Sequence, residues 1–151
     1  MATIKYANKE DLIARYGQEI AQLSIADGKT DTSIDSALED GAAEINGYVG
    51  RRYKLPLPAG KEYQTLKWLN CVIARYRLWE SRIQDSEDNA VYVRYRQAVA
   101  FLKDLAEGKA NLLDEDGQEP ESWSAQDVMA VKSRRPQIFT NNVMRRMDYG
   151  H

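Results

Sequence analysis

The 151-residue sequence has one cysteine, one histidine, and no apolar run approaching the ~20 residues that cross a bilayer. Each shortage excludes something. A single cysteine, Cys71, makes no internal disulfide and no zinc site. It falls in a helical apolar run without a lysine- or histidine-rich neighbourhood to lower its pKa, so it reads as a buried structural thiol, suited to a reducing compartment or indifferent to redox. The single histidine is His151, the last residue, which reads as a solvated terminus rather than a ligand. A histidine base, a catalytic triad and a histidine metal site therefore have nothing to work with. GxGxxG, P-loop and paired CxxC patterns are missing as well. The N-terminus lacks the basic, apolar and cleavage-site succession of a signal peptide, so the protein is expected to be soluble where it is made and to have no membrane partner. An excess of charge is also lacking. Lysine and arginine number 21 against 23 acidic residues, and a net charge of −2 gives no bulk attraction to nucleic acid or an anionic surface.

What the sequence does have is helical periodicity. The stretch from Thr32 to Pro58 organises the chain: Ile34, Leu38, Ala42, Ile45 and Val49 recur at steps of three and four, with Ala37, Gly41 and Tyr48 on the same side. Ser36, Glu39, Asp40, Ala43, Asn46, Gly47 and Gly50 lie opposite, on the wet face. Thr32 and Asp35 form a candidate capping pair. Pro56 and Pro58 push Leu55 and Leu57 into extended conformations and stop the helix near Tyr53. About nineteen residues at ~1.5 Å each span roughly 28 Å, the width of a small domain. Before it, Asn8 and Asp11 predict a capped short helix with Leu12, Ile13 and Tyr16 inward and Gly17 at its end. A brief second turn carries Ile20 and Leu23 inward ahead of the polar link 27–31.

After the proline-punctuated reversal, Tyr63 to Ile83 predicts a helix through Leu66, Leu69, Val72, Ile73, Tyr76, Trp79 and Ile83. Trp68, Cys71 and Leu78 add apolar surface behind, and Lys67, Asn70, Arg75, Arg77 and Arg82 keep the rest wet. Two apolar sides fit either a central core helix or a subunit contact. Val91 to Glu107 gives one more amphipathic helix, capped by Gly108. The expected fold is all-α: a small helical bundle of three long helices plus short N-terminal helices, residues 1–113. An extended C-terminal arm, residues 114–151, follows with at most short strands.

That arm is a charge dipole. Asp114, Glu115, Asp116, Glu119, Glu121 and Asp127 come first, then Lys132, Arg134, Arg135, Arg145 and Arg146. Few apolar residues support it, so it must order against its own body or against another copy. Asp114, Asp116 and Gly117 resemble part of a calcium loop, but Leu112 and Gln118 stand where ligands belong, and a surface turn is the better reading. Glu39 and Asp40 read as solubilising rather than as an acid/base pair. No catalytic, cofactor or metal residues are assigned, and the chain is expected not to be an enzyme. Candidate contact residues are Arg51, Arg52 and Tyr53, which close the long helix and suit the carbonyl end of its dipole, together with Trp123, Arg134, Arg135, Phe139, Arg145 and Arg146. These are the arginine and aromatic types that enrich interfaces.

From Tyr6 and Asp11-Leu12 onward the sequence resembles a known family. Ile45-Asn46-Gly47-Tyr48 runs into Arg52-Tyr53-Lys54-Leu55-Pro56-Leu57 and on to Ala74-Arg75-Tyr76-Arg77-Leu78, with Arg94-Tyr95, Leu102 and Gly108 in the following helix. This order, over residues 4–113, resembles the Mu-type phage proteins, which are similar to the helical head-to-tail connectors (head-completion or adaptor proteins) of tailed bacteriophages. The resemblance implies a structural virion protein of the phage neck, made in the host bacterial cytoplasm. It implies a homo-oligomeric ring, twelve-fold by family, that meets the portal protein on one side and a tail-side neck protein on the other. Contact with packaged DNA would be incidental, and no cofactor or small-molecule substrate is implied. An acidic segment followed by a basic one on a single arm is compatible with this, because a head-to-tail contact that closes makes a ring. The alternative is a small helical nucleic-acid-binding or regulatory module using the arginines of the last twenty residues.

Overall fold

A computed structural model describes residues 5–20, 23 and 31–124, with the backbone alone at 31 and 32. Helix α1 spans Lys9–Tyr16, α2 Asp31–Val49, α3 Gln64–Trp79 and α4 Ala90–Glu107. Residues 18–20 and 23 are also helical. No extended strand is present among the described residues, and no helix there is long and apolar enough to cross a membrane. The fold is all-α.

Local chemistry sets most helix ends. Asn8 Oδ1 accepts from the Asp11 N–H at 2.8 Å while Asp11 Oδ2 accepts from the Asn8 N–H at 3.0 Å, a reciprocal cap that satisfies two donors at the start of α1. Gly17, at φ 45°, closes the helix, its N–H donating to the Ile13 carbonyl. Asn89 caps α4 through the amides of Val91 and Tyr92, and Gly108 ends it in the left-handed conformation at φ 82°. Helix α2 is already helical at Asp31, so its start is not at Thr32. Helix α3 stops at Trp79, short of the Ile83 expected from periodicity. A turn closed by the Arg82 N–H on the Trp79 carbonyl follows, and the Tyr76 hydroxyl reaches both oxygens of Asp85 at 3.0 and 3.1 Å.

The α2 stripe is buried as its spacing dictates: Ile34, Ala37, Leu38, Gly41, Ala42, Ile45 and Val49 face inward. Helix α3 is more deeply embedded still. Nine of its sixteen residues are buried, and it packs against α1, α2 and α4, so its two apolar sides belong to one monomer core. Leu66, Leu69, Val72 and Ile73 join Ile45, Val49, Tyr53 and the Ala98–Leu102–Leu105 face of α4. Cys71, Ala74 and Leu78 join Leu12, Ile20, Leu23, Ile34 and Leu38. Burial pushes the Cys71 thiol up to about 11.

Asn70, expected on the wet face, is fully buried between these clusters. Its Oδ1 accepts from the amides of Tyr6 (3.0 Å) and Ala7 (2.9 Å), and its Nδ2 donates to the Leu38 carbonyl at 2.9 Å. One side chain thus pins the N-terminal segment to both α2 and α3, and its burial is tolerable because three hydrogen bonds replace water. Gly41 makes room for it: a Cβ there would lie 2.8 Å from Asn70 Nδ2. A second polar clasp joins α2, α3 and α4. Glu44 accepts from the Tyr95 hydroxyl at 2.7 Å and from Arg77 at 3.2 Å, with the Tyr95 and Tyr76 rings stacked at 4.0 Å.

The chain divides into compact units Met1–Glu121 and Ser122–His151. The helical unit therefore includes residues 114–121, which the sequence reading assigned to the arm. Side chains and backbone of that segment bind the helical body directly, as described next.

Candidate interaction surface at the end of the long helix

Past Val49 the chain stays tightly wound: the amides of Arg51, Arg52 and Tyr53 donate to the carbonyls of Tyr48 (3.2 Å), Val49 (3.1 Å) and Val49 (2.9 Å). This winding sends the three side chains apart. Arg51 is exposed, its guanidinium 5.7 Å from the Tyr48 ring. Arg52 turns inward over the Tyr53 ring at 4.9 Å. It donates to the carbonyls of Ala110 and Leu105, to Asn111 Oδ1 at 2.8 Å and to Glu119 Oε1 at 3.1 Å. The Leu105 carbonyl belongs to the last turn of α4, where it also accepts from the Gly108 N–H at 3.3 Å, so Arg52 adds a second donor at that helix end. Arg52 thus serves the end of α4 rather than only the dipole of its own helix.

Tyr53 is the largest fully buried side chain among the described residues. Its hydroxyl donates to Glu119 Oε1 at 2.7 Å and accepts from the Leu112 N–H at 3.1 Å, and burial raises its pKa. Glu119 is therefore shared by an arginine and a tyrosine that are adjacent in sequence. Beside it Lys54 makes two contacts to Glu121, N–H to carbonyl at 2.8 Å and Nζ to Oε1 at 2.9 Å. Together they hold residues 110–121 against α2 and α4.

Within that segment the Asp114–Gly117 turn forms as its sequence suggests. The Gly117 N–H donates to the Asp114 carbonyl at 3.1 Å, Gly117 has φ 77°, and Asp114 Oδ1 accepts from the amides of Asp116 and Gln118, both at 2.9 Å. These amides, the one on Gln118 first, hold the Asp114 carboxyl below the ordinary aspartate range. Asp114 thus spends its oxygens on a surface turn. Lys61 pairs with Asp116 at 2.7 Å, and Glu115 Oε2 accepts from the Glu62 N–H at 2.6 Å. Five carboxylates (Asp114, Glu115, Asp116, Glu119, Glu121) meet three cations (Arg52, Lys54, Lys61) in this hydrogen-bonded patch, an acidic excess of two.

Alongside lies an open groove of about 1110 Å³ between Tyr6, Asn46 and the loop through Leu55, Pro56, Leu57 and Tyr63. The Tyr6 hydroxyl donates to Asn46 Oδ1, and burial pushes that phenol up to about 12. Leu55 and Leu113 are exposed at 37% and 47%. Among the described residues no three His, Cys, Asp or Glu side chains are grouped to hold a metal ion.

Of the residues singled out from sequence, the structure brings Arg52 and Tyr53 together and leaves Arg51 on the surface. Trp123, in the second unit, is 42% exposed. Arg134, Arg135, Phe139, Arg145 and Arg146 lie outside the described residues. Glu119 and Lys54 were missed. Glu119 pairs with Arg52 and Tyr53 and Lys54 with Glu121, each across more than sixty residues, and the only available signal was the position of an acidic run after the last helix.

The protein family described as Bacteriophage Mu, Gp36 matches residues 6–131, beyond the limit at 113 to which the sequence resemblance ran. The Mu-like prophage FluMu protein gp36 of Haemophilus influenzae is 35% identical over 127 residues, covering 79% of this chain and 84% of that protein. Gene product J of Escherichia phage Mu is 31% identical over 138 residues, covering 88% of this chain and 93% of that protein. Since the match runs through every helix and through the acidic patch that closes the first unit, the chain belongs to the phage Mu Gp36 family and is a Mu-like bacteriophage protein.

Proposed function

We propose that this protein is a non-enzymatic structural component of the virion neck, a head-completion or adaptor protein that forms a ring between portal and tail. The observation that carries this reading is the patch at the end of α2. There Arg52, Tyr53 and Glu119 commit their polar groups to holding residues 110–121 rigid, and what remains outward is an acidic excess beside an apolar groove. Such a surface is pre-organised for a protein partner and spends nothing on positioning a reactant. A ring built by repetition of one contact needs two different surfaces on each copy, and a compact unit of about 120 residues is large enough to carry both. Synthesis takes place in the host cytoplasm, and the working location is the virion. DNA passing through the ring meets backbone-directed contacts only, since the net charge of −2 provides no general attraction.

The test is assembly. Concentrated protein, alone and mixed with purified portal, is examined by electron microscopy and mass measurement. Closed rings are expected in at least one condition, and monomers in both overturn the proposal. Salt-dependent binding of the monomer to duplex DNA, without assembly, favours the nucleic-acid module instead.

A further inference from the structure

At a separate place the last turn of α1, the middle of α3 and the first turns of α4 meet around a pocket of about 560 Å³. Arg15, Arg75 and Arg94 line it, with Tyr16 and Trp68 between them. Arg75 is held in place. Its guanidinium lies 4.5 Å from the Tyr16 ring and is forked by Glu19, with Nε to the two oxygens at 3.2 and 3.1 Å and Nη2 at 3.0 Å. Arg15 and Arg94 are exposed and have no carboxylate partner among the described residues. Three guanidinium groups and one carboxylate leave a positive excess of two. Gathering like charges gains nothing for an isolated monomer, whereas it prepares the site for an anion.

We infer that this pocket receives the acidic patch, residues 114–121, of a neighbouring copy. The charges match, an excess of two on either side. Both surfaces are pre-formed, the patch by Arg52, Tyr53 and the Asp114 turn, the pocket by Tyr16 and Glu19. They are also distinct patches of one molecule. The acidic turn binds the amide of Glu62, just before α3 begins, and Arg75 lies eleven residues beyond Gln64, about 16 Å along the helix. A contact between different patches is heterologous and propagates head to tail, closing into a ring if the rotation permits. Planar guanidinium groups suit exposed carboxylates such as Asp116 and Glu121 because each can take two oxygens at once. The inference rests on the ring reading above and names the contact that would build it.

Two variants test it. Arg15→Glu with Arg94→Glu reverses the pocket, and Asp116→Lys with Glu121→Lys reverses the patch, all at partly or fully exposed positions. Circular dichroism and thermal melts check that each variant keeps its fold. Each alone is expected to need at least about tenfold more protein for half-assembly than the unaltered chain, and high salt is expected to weaken assembly of the unaltered chain. Mixed in equal amounts, the two variants are expected to assemble again, since a negative pocket then meets a positive patch and the reverse. If the unaltered protein forms rings and the pocket variant forms them equally well, the inference fails while the ring reading stands. If the folded variants assemble neither alone nor mixed, this pairing of surfaces is wrong. If the unaltered protein stays solitary with and without portal, both fall. If the pocket variant loses affinity for duplex DNA with its assembly unchanged, the pocket serves nucleic acid and the inference is overturned.

Discussion

Asn70 shows at the scale of one residue how far a helical wheel can be read. Its position beside Lys67 and between apolar neighbours marks it as polar surface, yet the N-terminal segment lies across it and takes up its amide. Asn70→Ala removes both acceptor bonds and the donor bond to Leu38, stranding Tyr6 N–H, Ala7 N–H and the Leu38 carbonyl. A loss of about 2–4 kcal/mol is expected in urea unfolding, with the N-terminal amides losing hydrogen-exchange protection first. Two glycines in α2 give opposite outcomes. Gly41→Ala drives a methyl against Asn70 and Ile73, at 2.8 and 3.3 Å, and is expected to cost about 1–3 kcal/mol. At Gly47 nothing lies within 4 Å, so Gly47→Ala is expected to raise stability by about 0.5–1 kcal/mol by restricting the unfolded chain. Thermal melts of the pair decide whether space or chain entropy governs each site. Cys71, by contrast, was legible: an apolar run predicted a buried thiol, and a native-state thiol titration near neutral pH is expected to label it only as fast as the protein opens.

Helix ends sort by the range of the interaction that sets them. Asn8 with Asp11, Gly17 and Gly108 were legible because a cap needs only residues within the same turn. The end of α3 at Trp79 was not, since apolar periodicity continues to Ile83 while the Tyr76–Asp85 hydrogen bonds draw the chain back. The same holds for the acidic run. Its turn at Asp114–Gly117 follows from local chemistry, but its attachment to the body depends on Arg52 and Tyr53 about sixty residues earlier. Arg52→Lys is expected to fail as a conservative change, because one ammonium cannot reach two carbonyls, an amide and a carboxylate as a planar guanidinium does. The expected sign is faster hydrogen exchange at the amides of Leu112 and Lys54, with the α3 core unchanged. Tyr53→Phe removes two hydrogen bonds from a buried ring and is expected to cost about 1–3 kcal/mol.

At the scale of the molecule, several phenols packed into the helical unit give stability a dependence on alkaline pH. Burial raises Tyr6 and Tyr76 to about 12 and moves Tyr53, Tyr63 and Tyr95 the same way. A phenol that ionises near 10 in the unfolded chain and near 12 in the folded one stabilises the fold fully below pH 10, and that contribution disappears as pH rises through 12. Unfolding followed by phenolate absorbance is therefore expected to sharpen over this window, with Tyr6→Phe flattening part of it. On the acid side the depressed Asp114 carboxyl works in the opposite sense. Its contribution is present above the ordinary aspartate value and is lost as pH falls through its lower folded value, so the 114–117 turn is expected to loosen there before the helices melt.

By itself the sequence determined the four helices, most of their buried stripes, the caps at Asn8, Gly17 and Gly108 and the phage family, because these depend on neighbours three or four residues away or on a motif order that packing does not alter. Only the tertiary structure decided that Asn70 is a buried clasp, that Arg52 and Tyr53 hold the acidic run, and that three arginines from α1, α3 and α4 share one pocket. Those outcomes join residues thirty to nearly eighty positions apart, and which polar groups meet there is fixed by how the helices cross rather than by what either segment encodes alone.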